Sequence, residues 1–188
     1  AQYQFKLIEA GCDEVGRGCI AGPVVAAAVI LPPEYKNKFI IDSKKISQKK
    51  RKELGQEIID NAISWSISEV SNNKIDEINI LNASILAMHR ALDKLKVRPE
   101  FIIVDGNKFR PYNKISHECI IKGDNKFQNI AAASILAKNY RDDLMKKLSI
   151  KYNKYSWESN FGYPTKKHRD SIKKNGTTKY HRKSFKLL

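Results

Sequence analysis

No apolar run in this 188-residue chain approaches the roughly 18 residues that a membrane span requires. The first residues carry no signal-peptide pattern, and no internal repeat or low-complexity segment is apparent. Cysteine is scarce. Cys12, Cys19 and Cys119 are odd in number, sit in apolar contexts and lack Cys-x-x-Cys or Cys/His metal spacing. They read as reduced core residues of a cytosolic protein, which leaves out a disulfide framework and a zinc ribbon. The expectation is a cytoplasmic chain with no membrane partner. Nothing in the pattern calls for an oligomer, so a monomer is expected.

What the chain does have is basic charge. It carries 35 Lys and Arg against 20 Asp and Glu, a net +15. The excess is polarised: residues 146–188 hold thirteen basic side chains and two acidic ones, Glu158 and Asp170, for a net +11. The first 145 residues are nearly balanced at +4. Such an asymmetry fits a polyanionic partner, although a Lys-rich soluble surface has the same composition.

The length gives one domain, or one domain with a small appendage, with a real core. An apolar run from Phe5 to Cys12 reads as a strand, and Val24 to Leu31 as a second one buried on both faces, closed by Pro32-Pro33. Ser47 suits the N-cap of a helix from about Gln48 to Ala62. Trp65 to Val70 fits a third strand. Leu81, Ile85, Met88, Leu92 and Leu95 fall at helical spacing. Phe101 to Val104 and Cys119 to Ile121 are short strands, and a helix from about Phe127 to Lys151 follows. A last helix is expected from Lys166 to Asn175, ended by Gly176. Strands first, then strands alternating with helices, predict an α/β class domain with a mixed sheet. The boundary is expected between a main α/β domain of residues 1–145 and a basic helical extension of residues 146–188.

Three apolar strands end in an acidic residue beside glycine: Cys12-Asp13, Val104-Asp105-Gly106 and Gly123-Asp124. Sites in open α/β sheets form where neighbouring strands end, so Asp13, Glu14, Asp105 and Asp124 are predicted to converge. Successive strand side chains point to opposite faces. Asp13 and Glu14 therefore share a site only if the strand stops or kinks, a freedom that Gly16 and Gly18 supply. Crowded carboxylates need cations, and an all-oxygen set suits Mg²⁺ or Mn²⁺, not zinc. Two such ions can activate water and stabilise a leaving oxygen in phosphodiester cleavage. Each of these aspartates is also, taken alone, an ordinary turn residue.

The ordered set Asp13-Glu14-Val15-Gly16-Arg17-Gly18, Asp42-Ser43-Lys44, Val104-Asp105-Gly106, Lys122-Gly123-Asp124, Ala133-Ser134-Ile135-Leu136-Ala137-Lys138, Arg141-Asp142 and Gly162-Tyr163-Pro164-Thr165 with His168 resembles bacterial ribonuclease HII, a type 2 ribonuclease H. The likeness spans nearly the whole chain. Ribonuclease HIII has an extra N-terminal domain for which this chain lacks room, and ribonuclease HI does not set its acidic pair side by side. The resemblance implies a ribonuclease H-like fold, a five-stranded mixed sheet flanked by helices with a C-terminal helical extension. It implies hydrolysis of the RNA strand of RNA–DNA hybrids, and incision 5′ of a single ribonucleotide in duplex DNA, as in ribonucleotide excision repair, leaving 3′-hydroxyl and 5′-phosphate ends. Asp13, Glu14, Asp105 and Asp124 become the catalytic carboxylates holding two Mg²⁺ or Mn²⁺ ions. Gly16, Arg17 and Gly18 become the loop that senses the ribose 2′-hydroxyl, and Tyr163 the ring on the next deoxyribose.

Lys44 is a candidate phosphate contact, Ser134 a point of close approach to the DNA backbone, and Asp142 either an outer carboxylate orienting a metal-bound water or a helix-surface acid paired with basic neighbours. His168 and His181 are expected to touch phosphate or solvent, and His89 to be structural. A sliding clamp is a candidate partner through Ser184 to Leu188, although packing of Phe185 explains that segment as well. Two other readings stay open: a non-catalytic basic nucleic-acid-binding module, and a junction resolvase or transposase-type nuclease on the same fold.

Overall fold

A computed structural model describes residues 1–4, 6–41 and 47–188. A five-stranded sheet runs in the order β3-β2-β1-β4-β5, built from β1 (Glu9–Val15), β2 (Val24–Ile30), β3 (Ser64–Val70), β4 (Phe101–Asp105) and β5 (Ser116–Ile120). The first three strands form an antiparallel meander, whereas β4 and β5 join β1 in parallel. The helices are α1 (Lys38–Ile41), α2 (Gln48–Asn61), α3 (Asn72–Ile78), α4 (Ile80–Asp93), α5 (Gln128–Lys151), α6 (Trp157–Asn160) and α7 (Lys166–Asn175).

The sequence of β2, Val-Val-Ala-Ala-Ala-Val-Ile, is buried at every position. Its even residues Val24, Ala26, Ala28 and Ile30 pack with Ala10 and Cys12 against α3 and α4. Its odd residues Val25, Ala27 and Val29 pack against α2 and α5, where Ala131, Ala132 and Ala133 form the facing surface. Small residues on both sides let α5 lie close to the sheet. A Cβ on Gly11 would come within 2.2 Å of the Asn129 backbone. Asn129 itself is fully buried and fastens α5 to two strands, accepting from Leu31 N–H and donating to Glu9.

The first strand starts later than the apolar run suggests. The buried Glu9 carboxylate accepts from the Tyr3 and Gln4 N–H groups, folding the leading residues back on the strand. It also continues past Cys12, because pairing with β2 persists to Val15↔Val25. The fifth strand begins at Ser116, before the expected Cys119, where alternating burial hides it from an apolar-run reading. Ser47 caps α2 through Lys50 N–H, and α7 has the expected bounds. Helix α3 was not expected; Ser71 caps it and Ile75 is its buried anchor.

After α5 the chain builds a second core from Tyr155, Trp157 and Ile172 against Ile20, Ala21 and Met145. His168 and His181 lie inside it, 0% and 1% exposed, which corrects their expected contact with phosphate or solvent. Their tautomers follow from their partners. The Trp157 indole only donates, so His168 Nε2 is an acceptor at 3.0 Å and His168 Nδ1 donates to Tyr163 O at 2.9 Å. His181 Nδ1 accepts from Thr178 N–H, so its Nε2 carries the proton and faces His168 Nε2 at 3.2 Å, sharing with the Trp157 indole the one lone pair there. Each ring is neutral in this network. His89 packs on Phe109 and Tyr112, a structural role.

Burial holds His168 below its ordinary value, and burial with the neighbouring His168 brings His181 down to about 4. A base with a depressed folded-state value contributes stability above its unfolded value that is lost as pH falls through the folded one. Thermal melts should therefore show the melting temperature dropping between about pH 6.5 and 4, with a shallower drop in His181→Gln. Equal slopes in the two proteins would refute this assignment.

Candidate active site

The parallel partner β4 pairs with β1 only as far as Cys12↔Val104. Beyond that point β1 keeps its β2 neighbour but loses its other one, and the sheet opens. Asp13, Glu14, Asp105 and Asp124 line the cleft at this opening, together with Val15, Arg51, Ser134, Ile135, Lys138 and Tyr163, in a volume of about 370 Å³. The four predicted carboxylates are thus brought to one place. The strand does not stop at the acidic pair: both acids stand within β1, on the stretch where its β4 flank is open.

Asp105 closes β4, and its Oδ1 accepts from Gly123 N–H at 2.7 Å. That bond draws the turn Gly123–Asn125 against the strand end and brings Asp124, 4% exposed, into the cleft. Asp13 is buried; it accepts from Glu14 N–H at 2.7 Å and from the Ser134 hydroxyl. Burial, reinforced by Glu14 and then Asp105, pushes the Asp13 carboxyl well above the usual carboxylate range. Burial also raises Glu14, opposed by Arg17, whose Nη1 lies 3.1 Å from its carboxylate. Among the described residues no three acidic, histidine or cysteine side chains are gathered closely enough to enclose one ion. The four carboxylates instead share the lining of the cleft as an oxygen-only donor set.

Cationic side chains line the same cleft. Asp142, only 1% exposed, is no surface residue: it binds Arg51 Nη2 at 2.7 Å and Lys138 Nζ at 2.6 Å. The helical spacing from Lys138 to Asp142 makes the second pair, and α2 delivers the first. Arg51 escaped the sequence reading because it sits in a Lys-rich run that composition cannot distinguish from solvated surface. Lys138 Nζ also lies 5.9 Å from the centre of the Tyr163 ring. Tyr163 is 37% exposed, and its hydroxyl meets Cys19. Gly162, at φ +83°, packs so tightly on Ala21 O that a Cβ would stand 2.5 Å away, fixing the turn that carries Tyr163.

Gly16 is buried with φ +91°, and a Cβ there would meet Arg141 Nε at 2.2 Å. Gly18 faces open space, and Arg17 beside it is exposed. Ser134 lines the cleft with its hydroxyl on Asp13. Lys44, with Asp42 and Ser43, lies outside the described residues.

Solved structures share this architecture. The ribonuclease H2 of Pyrococcus horikoshii superposes with a TM-score of 0.82 at 25% identity, covering 95% of this chain and 94% of that one. The ribonuclease HII in the PCNA complex from Archaeoglobus fulgidus gives 0.83 at 28% identity, covering 97% and 96%. The fold is that of ribonuclease H. The family model for ribonuclease HII matches residues 10–188, and the ribonuclease HII of Christiangramia forsetii is 62% identical over 99% of this chain and 94% of its own length. The chain belongs to the ribonuclease HII family, the type 2 ribonuclease H hydrolases.

Without a metal ion in the cleft, ionising Asp13 costs folding free energy. An acid whose folded-state value is raised contributes stability below its unfolded value that is lost as pH rises through the folded one. Asp13→Asn keeps an acceptor for Ser134 and Glu14 N–H while removing the charge. In chelator it should melt higher than the parent by roughly 2–4 °C per kcal/mol relieved, with a larger gain at pH 8 than at pH 5. A variant that melts lower at both values would contradict the repulsion.

Proposed function

We propose that this protein is an endoribonuclease that hydrolyses the RNA strand of RNA–DNA hybrids and incises 5′ of single ribonucleotides embedded in duplex DNA, leaving 3′-hydroxyl and 5′-phosphate ends. The observation that carries the reading is the meeting of four carboxylates, two cationic side chains and one exposed tyrosine in a single cleft. The donor set is oxygen only, and its buried members repel one another, which fits hard divalent cations such as Mg²⁺ or Mn²⁺. Asp13, Glu14, Asp105 and Asp124 would hold two of them, and such ions supply Lewis-acid stabilisation and a water of lowered pKa.

The chain's own residues do the rest. Arg51 and Lys138, braced by buried Asp142, offer charge-assisted donors to phosphate oxygens. That is the positioning role proposed for Asp142, exerted through its two cations. The Gly16–Gly18 loop presents backbone to the ribose, whose 2′-hydroxyl is what separates a ribonucleotide from DNA. The half-exposed ring of Tyr163 supplies a face for the next sugar, where an added hydroxyl would crowd it. Lys44 keeps its proposed phosphate role from sequence alone. The basic stretch 146–188 supplies long-range attraction for duplex phosphates, as an extension packed on the catalytic domain of residues 1–145.

Partners beyond the substrate are addressed by packing. Phe185 is covered by Arg182, whose guanidinium lies 5.0 Å from the ring centre, and joins both the α4-side and C-terminal cores. This supports reading the terminal segment as structural, leaving Leu188, 56% exposed, as the apolar side chain there open to a sliding clamp. No helix among the described residues is long and apolar enough to cross a membrane.

Asp124→Asn should reduce cleavage by about 10³-fold while leaving binding to a ribonucleotide-containing duplex within about threefold. Near-parental turnover with Mg²⁺ or Mn²⁺ would refute the mechanism. All-DNA and branched-DNA controls in the same assay separate the resolvase reading, and salt-sensitive binding without any metal-dependent cutting would favour a binding module. Tyr163→Ala should harm incision at a single ribonucleotide more than cleavage of an all-RNA/DNA hybrid, by about tenfold; equal losses would remove its junction role.

A further inference from the structure

Two guanidinium groups, Arg141 and Arg182, are 0% exposed, and neither is hydrogen-bonded to a carboxylate among the described residues. A buried cation is costly unless its donors are satisfied. Both satisfy theirs with main-chain carbonyls. Arg141 bonds Pro23, Phe161 and Ala21 oxygens at 2.9, 2.7 and 3.0 Å. Arg182 bonds the Gly22, Arg17 and Gly16 oxygens at 3.0, 2.9 and 2.7 Å.

Two of those three acceptors belong to the glycine loop beside the carboxylates. No peptide here is cis, and in a trans peptide C=O and N–H point in opposite directions. The Gly16 carbonyl shares its plane with the Arg17 N–H, and the Arg17 carbonyl with the Gly18 N–H. Drawing both oxygens down onto one buried guanidinium turns both N–H groups up and away from it. Neither N–H meets a protein acceptor among the described residues. Gly18 has no atom within 4 Å of where its Cβ would be, so a ligand can reach its backbone. Proximity of the cation to the carbonyl ends also polarises those peptides, strengthening the outward donors.

Arg182 is itself held firmly. Its N–H donates to Ile20 O at 2.9 Å, Ala21 bridges to His181, and the following Lys183 and Ser184 N–H groups both donate to the Asp76 carboxylate of α3 at 2.9 Å. The segment crosses under the loop as a strap, with Arg182 as its clasp.

We infer that Arg182 is the positioning residue for ribose recognition: from the buried side it orients the Gly16 and Arg17 peptides so that the Arg17 and Gly18 amides form a paired donor site for the 2′-hydroxyl oxygen. The inference rests on the function proposed above and adds a residue 165 positions from the loop it serves. Lysine cannot replace it, because a single ammonium at the end of a flexible stem does not span three carbonyls in one plane.

The test compares dissociation constants for a duplex with one ribonucleotide and the same duplex in all-DNA form, in a cleavage-silent Asp124→Asn background. That background should prefer the ribonucleotide by about tenfold or more, and Arg182→Lys should bring the ratio to within about threefold of unity by weakening only the ribonucleotide complex. A merely structural role would weaken both complexes and leave the ratio alone, and a retained ratio in a cooperatively melting Arg182→Lys overturns the inference. Absence of any preference in the background protein would sink the ribose-sensing function itself. Should Arg182→Lys fail to fold, amide NMR of the unsubstituted chain decides. The Arg17 and Gly18 N–H signals should shift with the ribonucleotide duplex and not with all-DNA, and identical responses to the two overturn the inference.

Discussion

Like charges buried side by side are the constraint around which this molecule is arranged. Asp13 and Glu14 are neighbours on one strand, Asp105 ends the adjacent strand, and burial alone already disfavours ionising the first two. A cleft of this kind survives only if the rest of the fold is stable enough to carry it. The stability comes from a sheet covered on both faces, with alanines on β2 and α5 allowing close approach and Asn129 joining helix to strands. Arg51 and Lys138, which line the cleft, and Arg17, which pairs with Glu14 at its edge, are each tied to an acid. Positive charge is therefore placed around the carboxylates without filling the space between them.

A second theme is the supply of site geometry from distant parts of the chain. The first, fourth and fifth strands run parallel and end at the same edge, so three separate sequence segments deliver acids to one opening. The turn carrying Tyr163 is held by Gly162 against Ala21, by Arg141 through Phe161 O, and by His168 through Tyr163 O. Buried histidines and arginines here act on the backbone. They fix carbonyls, and the carbonyls fix what lies beyond them.

Much of this was legible in the sequence, for physical reasons that differ by element. The fully apolar β2, the capped α2 and the Gly-terminated α7 announce themselves through pattern and end chemistry. The convergence of Asp13, Asp105 and Asp124 followed from strand-end aspartates beside glycine. The continuation of β1 through Glu14 was not legible, because an antiparallel partner alone sustains it and the two acids interrupt the apolar run. The half-exposed start of β5 and the short α3 lack a strong periodic signal. The roles of Arg51, His168 and Arg182 were hidden for a common reason. Each is a polar residue in a basic stretch, and only tertiary contact tells a buried, fully bonded side chain from a solvated one.

The bond between Arg182 and Gly16 spans 166 positions of the chain. During synthesis the four carboxylates and all five strands are available long before residue 182 leaves the ribosome. The loop beside them lacks its clasp until Arg182 arrives. A prematurely terminated product would thus possess the acidic cleft without the braced peptides next to it. By placing that fastening well after the last acid of the cleft, the chain makes the braced glycine loop the later of the two features to form.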